Sequence, residues 1–239
     1  MTYDSEFGSH VSLYRDRIQQ VIDDSLNEHP NSMILRVDLH DPIDTENMDN
    51  PLFQPRVDSG AISRFTSALK AKLEHDKHIK TQRKDWPDTR HSTLRYAWVR
   101  EYTKNGKRHY HLILCFNQDA YYHLGDYDLK RNTLRTMITT AWYSALGIPL
   151  DDSGKLVNYP SNGKYLLNRK RNNFEQTYND LMNRVDYMTK VRTKIVGDGD
   201  RNFGCSRGYF IFYSNGLSYG WNGQYSSVKI LSCLGCAYR

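Results

Sequence analysis

The spacing of hydrophobic residues divides most of the chain into amphipathic helices and short strands. Apolar residues three and four positions apart, which mark one face of a helix, predict helices over 11–27, 60–80, 127–146 and 174–194. Apolar or alternating runs predict strands over 33–39, 94–102, 109–116 and 155–159. This order, with two adjacent strands that can form a hairpin, predicts an α+β fold. We expect a central antiparallel sheet of about five strands, with the helices packed on one of its faces.

The chain changes character near its C-terminus. Residues 208–239 are rich in glycine, serine and tyrosine and carry almost no charged side chains. Such a segment could add a hairpin to the fold or could be a poorly ordered tail, and the sequence assigns it no role. We therefore place one domain over 1–207, which begins with a helical segment at 10–28, and treat 208–239 as a C-terminal extension.

The balance of charge favours an anionic partner. The 239 residues include 33 lysines and arginines against 27 aspartates and glutamates, which gives a formal net charge of +6. Cationic side chains bind phosphates and release their counterions, so a basic chain favours contact with nucleic acid. No stretch approaches the roughly 18 consecutive apolar residues of a membrane span, and the N-terminus lacks the zones of a signal peptide. We expect a cytoplasmic protein with no membrane partner.

Two histidines interrupt an otherwise apolar strand in the sequence HYHLILCF. His109 and His111 are two residues apart, so on a strand both point to the same side of the sheet. Their imidazoles could be ordinary surface groups at a strand end, or they could bind one metal ion together. A third ligand from the neighbouring strand would favour the metal, and Glu101 is the candidate.

The length of the turn before these histidines decides whether Glu101 can join them. A two-residue turn would place Glu101 opposite Tyr110, on the other side of the sheet. A three-residue turn over 104–106, with Gly106 in the left-handed conformation, would place Glu101 directly opposite His109. We predict the three-residue turn. Two imidazoles and one carboxylate with open positions then suit Mg²⁺, Mn²⁺ or another divalent Lewis acid, and not a closed structural zinc site.

A tyrosine lies on the polar side of the last predicted helix. Tyr187 falls roughly 150° from the centre of the apolar stripe, on the same side as Asn183, Lys190 and Lys194. Alone, it could be an ordinary exposed tyrosine. Next to a metal site it could attack a phosphodiester, with Lys190 offsetting the negative charge that develops on the phosphate.

The order of these groups resembles that of the HUH endonucleases. Glu101 is followed after seven residues, which include the glycine turn, by HYHLIL, and much later by YMTK at 187–190. Residues 10–207 are similar to the inovirus-type replication proteins of the YagK/YfjJ-like kind, which occur in phages and prophages. The resemblance implies a ferredoxin-like or RRM-like core for the predicted sheet.

The resemblance also implies a role for each candidate residue. Glu101, His109 and His111 would be the metal ligands and would hold Mg²⁺ or Mn²⁺. Tyr187 would be the nucleophile, and Lys190 would assist it. A second nucleophilic tyrosine one helical turn away is excluded, because none occurs three or four residues from Tyr187.

For function, the resemblance implies an enzyme that nicks single-stranded or hairpin DNA at the replication origin of a phage or mobile element. The tyrosine would become joined to the 5′ phosphate and leave a 3′-OH, from which rolling-circle replication starts. A host helicase and polymerase would be partners in the bacterial cytoplasm, because the sequence contains no P-loop motif. We predict DNA contacts at Arg36, Asn183, Lys194 and Arg207. The alternative is a DNA-binding regulator or packaging factor that keeps this fold without catalysis.

Overall fold

The computed structural model describes residues 2–5, 8–42, 54–82, 91–103, 105–150, 154–192, 194–195, 197–208, 211–214 and 217–220. The chain separates into two compact units, Met1–Ser206 and Arg207–Arg239. Among the described residues, no helix combines the length and the apolar character that crossing a membrane requires.

The larger unit contains four helices and eight strands within the described ranges. In chain order these are β1 (Thr2–Ser5), β2 (Gly8–Val11), α1 (Ser12–Glu28), β3 (Ser32–His40), α2 (Ala61–Thr81), β4 (Arg95–Tyr102), β5 (Arg108–Asn117), α3 (Leu134–Leu146), β6 (Val157–Asn158), β7 (Lys164–Leu167), α4 (Phe174–Met188) and β8 (Phe203–Cys205). β1 and β2 form a separate hairpin, and the other six strands form one sheet.

This sheet is antiparallel throughout and has the strand order β6-β3-β5-β4-β8. β7 also pairs with β3, at Ser32 to Leu35, whereas β6 pairs with Asp38 and Leu39 near the other end of β3. β6 and β7 therefore share one edge of β3, and the sheet is five strands across. The predicted class, an α+β fold with a central antiparallel sheet of about five strands, is confirmed.

Helices cover both faces of the sheet, and not one face as the sequence led us to expect. α2 and α3 pack on the face that carries Leu35, Val37 and Leu39 of β3. α1 and α4 pack on the opposite face, against Ile34 of β3 and Ile113 of β5. The second layer exists because α1 and α4 have apolar stripes of their own, which are buried when these helices cover the second face.

Two helices begin later than the hydrophobic spacing predicts. α3 begins at Leu134 and not at 127, because the side-chain oxygen of Thr133 accepts a hydrogen bond from the Thr136 amide and caps the helix there. α1 begins at Ser12, one residue after the predicted start at 11, because the preceding residues form β2. The sequence did not predict the β1–β2 hairpin.

α4 ends at Met188, well before the predicted end at 194. The chain that follows pairs with β2. The Val11 amide donates to the Thr189 carbonyl at 3.0 Å, and the Val191 amide donates to the Ser9 carbonyl at 2.9 Å. The N-terminal hairpin thus fixes the segment that leaves α4, which is a long-range contact that local spacing cannot predict.

The smaller unit contains one antiparallel strand pair among its described residues. β9 (Ile211–Ser214) pairs with β10 (Leu217–Gly220). The described part of the extension therefore forms a strand pair, and residues 221–239 lie outside the described ranges.

Candidate metal and nucleophile site

The turn between β4 and β5 sets the geometry of the candidate metal site. The Thr103 amide donates to the Lys107 carbonyl, and the Gly106 amide donates back to the Thr103 carbonyl, both at 2.9 Å. Gly106 has φ +74°, in the left-handed region that favours glycine. Glu101 consequently lies opposite His109. The predicted three-residue turn and its register are confirmed.

The side chains of Glu101, His109 and His111 meet on the α1/α4 face of the sheet. Glu101 Oε2 lies 3.4 Å from His111 Nε2 and 3.9 Å from His109 Nε2. One potential ligand atom from each residue lies within 4.8 Å of the others. Glu101 and His111 are buried and His109 is partly buried, so the cluster lies mostly within the protein and reaches the surface at His109. The structure therefore brings the three predicted ligands together.

Asp38 of β3 holds His111 in place and was missed by the sequence reasoning. Its Oδ1 lies 2.6 Å from His111 Nδ1 and accepts a hydrogen bond from Arg36 Nε at 3.1 Å. When His111 is neutral with its proton on Nδ1, the Asp38 carboxylate accepts a hydrogen bond from Nδ1–H, and Nε2 keeps its lone pair for a metal ion. The sequence carries a signal for this group, because Arg36, Asp38 and His40 alternate along an apolar strand and so share one face.

The charge states of these residues suit metal coordination. Burial acts to raise the pKa of Glu101, but hydrogen bonding to His111 and the charge of Lys194 outweigh it and lower that pKa to about 2. Burial, helped by the charge of His111, lowers the pKa of His109 to about 4. Near neutral pH, Glu101 is therefore a carboxylate and His109 a neutral imidazole. Metal binding requires both of these forms.

His111 behaves differently from His109. Burial acts to lower its pKa, but the hydrogen bonds to Asp38 and Glu101 outweigh burial and raise the pKa above the ordinary value. A bound cation has to displace the Nε2 proton that this environment favours. The donor set of two imidazoles and one carboxylate, with one imidazole anchored by an aspartate, fits a divalent ion with open coordination positions.

Tyr187 lies in the last turn of α4, beside this cluster. Its ring centroid is 6.4 Å from that of His111, and 5.4 Å from the guanidinium carbon of Arg36. The tyrosine is 37% exposed, whereas the apolar stripe of the same helix is buried. The prediction that Tyr187 lies outside the apolar stripe is confirmed, and its ring lies at the boundary between the cluster and solvent.

Lys190 lies close to Tyr187 for a reason other than helical spacing. It follows the end of α4 and forms an isolated β-bridge with His10. Its Nζ is 3.1 Å from the centroid of the Tyr187 ring, which is a cation–π contact. Burial acts most strongly to lower the pKa of Lys190, and the nearby Glu101 carboxylate opposes it. The tyrosine and the lysine of the Y-M-T-K motif are therefore neighbours in space.

The four predicted DNA contacts divide into two groups. Asn183 and Arg207 are exposed. Arg36 is buried and contacts Asp38, and the Lys194 side chain is 3% exposed with its Nζ 3.2 Å from Glu101 Oε1. Arg36 and Lys194 are thus part of the interior of the site instead of an open surface, because each is paired with a buried carboxylate.

Comparison with known proteins places the chain in a family. Residues 1–206, which are also the larger compact unit, match the model of the YagK/YfjJ C-terminal domain. The chain is 94% identical over 208 residues to a protein of Escherichia coli (strain K12) named "Uncharacterized protein YfjJ", which covers 87% of this chain and 100% of that protein. It is 46% identical over 206 residues to "Uncharacterized protein YagK" of the same strain, which covers 86% of this chain and 98% of that protein. No solved structure matches the chain significantly. The family model and both relatives match this chain over most of its length. The chain therefore belongs to the YagK/YfjJ C-terminal domain family.

Proposed function

We propose that this protein is a metal-dependent DNA nicking and joining enzyme of the HUH type, which initiates rolling-circle replication of a phage or mobile element. One observation carries the proposal. Tyr187, at the end of α4, lies within 6.4 Å, between ring centroids, of a histidine in the Glu101, His109 and His111 cluster of the β4–β5 hairpin. A nucleophile and a metal-binding set from distant parts of the sequence share one face of the sheet.

The metal site would supply the electrophilic part of the reaction. A divalent ion held by Glu101, His109 and His111 would polarise the scissile phosphate as a Lewis acid. For this purpose Asp38 orients His111 by a hydrogen bond to the imidazole Nδ1, as aspartates commonly do for metal-binding histidines.

Tyr187 would carry out the covalent step. Its phenol oxygen attacks the phosphorus and forms a new O–P bond, and the bond from phosphorus to the 3′ oxygen of the preceding nucleotide breaks. The phenol proton is released, and the departing 3′ oxygen takes up a proton to become a 3′-OH. Lys190, with its ammonium at the Tyr187 ring, stabilises the negative charge that develops nearby.

The substrate would be single-stranded or hairpin DNA at a replication origin in the bacterial cytoplasm. The formal charge of +6 favours phosphate binding, and the exposed Asn183 and Arg207 remain candidates for DNA contact. The 3′-OH would prime a host polymerase, and a host helicase would separate the strands. The reverse reaction, attack of a 3′-OH on the phosphotyrosine, would join the ends after one round of synthesis.

The test uses labelled single-stranded oligonucleotides that tile the replicon encoding the protein, incubated with Mn²⁺ or Mg²⁺. We expect a covalent protein–DNA band with wild-type protein and none with Tyr187→Phe. Tyr178→Phe is the matched control, since Tyr178 lies on the same helix and packs against the core, and it should give the wild-type band. Undiminished cleavage by Tyr187→Phe would contradict the assigned nucleophile.

A second candidate function, a DNA-binding regulator or packaging factor without catalysis, is favoured by one observation. Each buried carboxylate of the site already has a cation: Arg36 contacts Asp38, and Lys194 contacts Glu101. The negative charges of the two carboxylates are therefore neutralised without an added ion. Under this alternative, the wild-type protein binds DNA but neither binds Mn²⁺ at the cluster nor forms a covalent adduct.

A further inference from the structure

Lys194 joins two parts of the site that come from different elements. Its Nζ lies 3.2 Å from Glu101 Oε1, donates to the Met188 carbonyl at 2.9 Å and also donates to the Lys190 carbonyl. An ammonium group has three donors, and here all three are directed at acceptors. The side chain is 3% exposed, so water contributes little to this arrangement.

The two oxygens of Glu101 have different partners. Oε1 faces Lys194, whereas Oε2 faces the Nε2 atoms of His111 and His109. A carboxylate fixed at one oxygen cannot rotate freely, so its other oxygen stays directed at the imidazoles. Lys194 therefore restrains the orientation of Glu101, as Asp38 restrains the orientation of His111 on the other side of the cluster.

Of the two carbonyls bound by Lys194, that of Met188 belongs to the last residue of α4 and that of Lys190 lies just beyond the helix. The last carbonyls of a helix lack partners within the helix and carry partial negative charge, which a cation stabilises. Met188 follows Tyr187 directly, so a hydrogen bond to the Met188 carbonyl restrains the backbone next to the tyrosine.

We propose that Lys194 is a positioning residue, which fixes the Glu101 carboxylate for metal binding and the end of α4 that carries Tyr187. The inference rests on the proposed function, because it assigns Lys194 a role in that same site. It replaces the expectation that Lys194 contacts DNA. The competing explanation is that Lys194 only neutralises Glu101, and the two explanations predict opposite effects on metal affinity.

The first test needs no metal. Urea unfolding of metal-free wild type, Lys194→Met, Glu101→Gln and the double variant gives a double-mutant cycle. Each single change should lower the unfolding midpoint, because each leaves a buried charge without its partner. The unfolding midpoint of the double variant should fall by clearly less than the sum of the two decreases caused by the single changes. Additive losses would overturn the proposal, since the two side chains would then act independently.

The second test measures Mn²⁺ binding by calorimetry and by the electron paramagnetic resonance signal of free Mn²⁺. If Lys194 positions Glu101, Lys194→Met should bind Mn²⁺ about tenfold more weakly than wild type, the effect typical of losing a group that orients a ligand. Unchanged or tighter binding would overturn the proposal, because removing a merely neutralising charge favours a cation. Lys170→Met is the control, since Lys170 is exposed.

The two proposals fail in different ways. If the wild-type protein forms no covalent DNA adduct but the unfolding cycle still shows coupling between Lys194 and Glu101, the proposed function is contradicted. The interaction between Lys194 and Glu101 then still stands. If the wild-type protein forms the adduct, but Lys194→Met keeps full Mn²⁺ affinity and the unfolding losses are additive, only the positioning role of Lys194 is contradicted.

Discussion

The two faces of β3 use the same strand in opposite ways. Leu35, Val37 and Leu39 lie in the core beneath α2 and α3. Arg36 and Asp38, which alternate with them, face α1 and α4 and are also buried. One row is stabilised by apolar contact, and the other by pairing of charges. Burial alone therefore does not distinguish a core from a site.

The charged row continues across the sheet as an unbroken series of contacts. Arg36 contacts Asp38 at 3.1 Å, Asp38 contacts His111 at 2.6 Å, His111 contacts Glu101 at 3.4 Å, and Glu101 contacts Lys194 at 3.2 Å. Well-packed apolar residues often stabilise a fold as well as a buried ion network does, or better. A network of this kind, next to a half-exposed tyrosine, is easier to explain by chemistry than by stability.

Removing a proposed metal ligand from the charged row should have the largest effect. We expect His111→Ala to lower the rate of DNA cleavage about 1000-fold or more, because Lewis-acid stabilisation is worth several kcal/mol. DNA affinity should change little, since phosphate contacts elsewhere dominate it. Single-turnover cleavage and a filter-binding assay separate the two quantities.

The control for this change is His123→Ala, since His123 is exposed. Cleavage by His111→Ala at a rate close to that of the control would contradict the metal site.

The apolar row should show the opposite pattern, with a loss of stability and little loss of chemistry. Leu112 is fully buried on the α2/α3 face. We expect Leu112→Ala to lower the free energy of unfolding by about 3 kcal/mol, because it leaves a cavity. Urea unfolding measures this loss, and Mn²⁺ affinity below the transition should stay near that of wild type. Selective loss of metal affinity in the folded variant would mean that the two faces are not independent.

Asp38 contacts His111, one of the proposed metal ligands, and its loss should have an intermediate effect. We expect Asp38→Asn to weaken Mn²⁺ binding about 10- to 100-fold, because an amide orients His111 less well than a carboxylate. Calorimetric titration measures the affinity, with the exposed Asp16→Asn as a control. An affinity equal to that of the control would remove Asp38 from the site.

A substitution in the β4–β5 turn, which sets the register of the two strands, should have the smallest effect. A Cβ at Gly106 would meet no atom within 4 Å, so only its positive φ opposes a substitution. We expect Gly106→Ala to destabilise the fold by about 1 kcal/mol and to leave Mn²⁺ affinity unchanged. Thermal unfolding and the same titration check both quantities. A large loss of metal affinity would indicate that the turn shifts register, which exchanges the two faces of β4.

Much of the sheet and of the site could be predicted from local pattern. The apolar runs located β3, β4 and β5 to within one residue, and the glycine turn fixed the register that places Glu101 opposite His109. Tyr187 could be assigned to the polar side of α4 because helical periodicity is reliable over a long helix.

The remaining features depend on contacts between distant residues. The end of α4 is set by pairing of the Thr189 and Val191 backbone with β2, a segment near the N-terminus. The burial of Arg36 and Lys194 follows from their pairing with Asp38 and Glu101 across elements. A sequence shows that a lysine is charged, but not which carboxylate it meets, so both cations were predicted as DNA contacts.

The most direct test of the proposed chemistry is mass spectrometry of the trapped covalent adduct after protease and nuclease digestion. We predict that a peptide containing Tyr187 carries a 5′-phosphorylated nucleotide after incubation with single-stranded origin DNA and Mn²⁺. The modification should disappear without the metal and in His111→Ala. A nucleotide attached to any other residue, or cleavage by a folded wild-type protein with no covalent adduct, would contradict it.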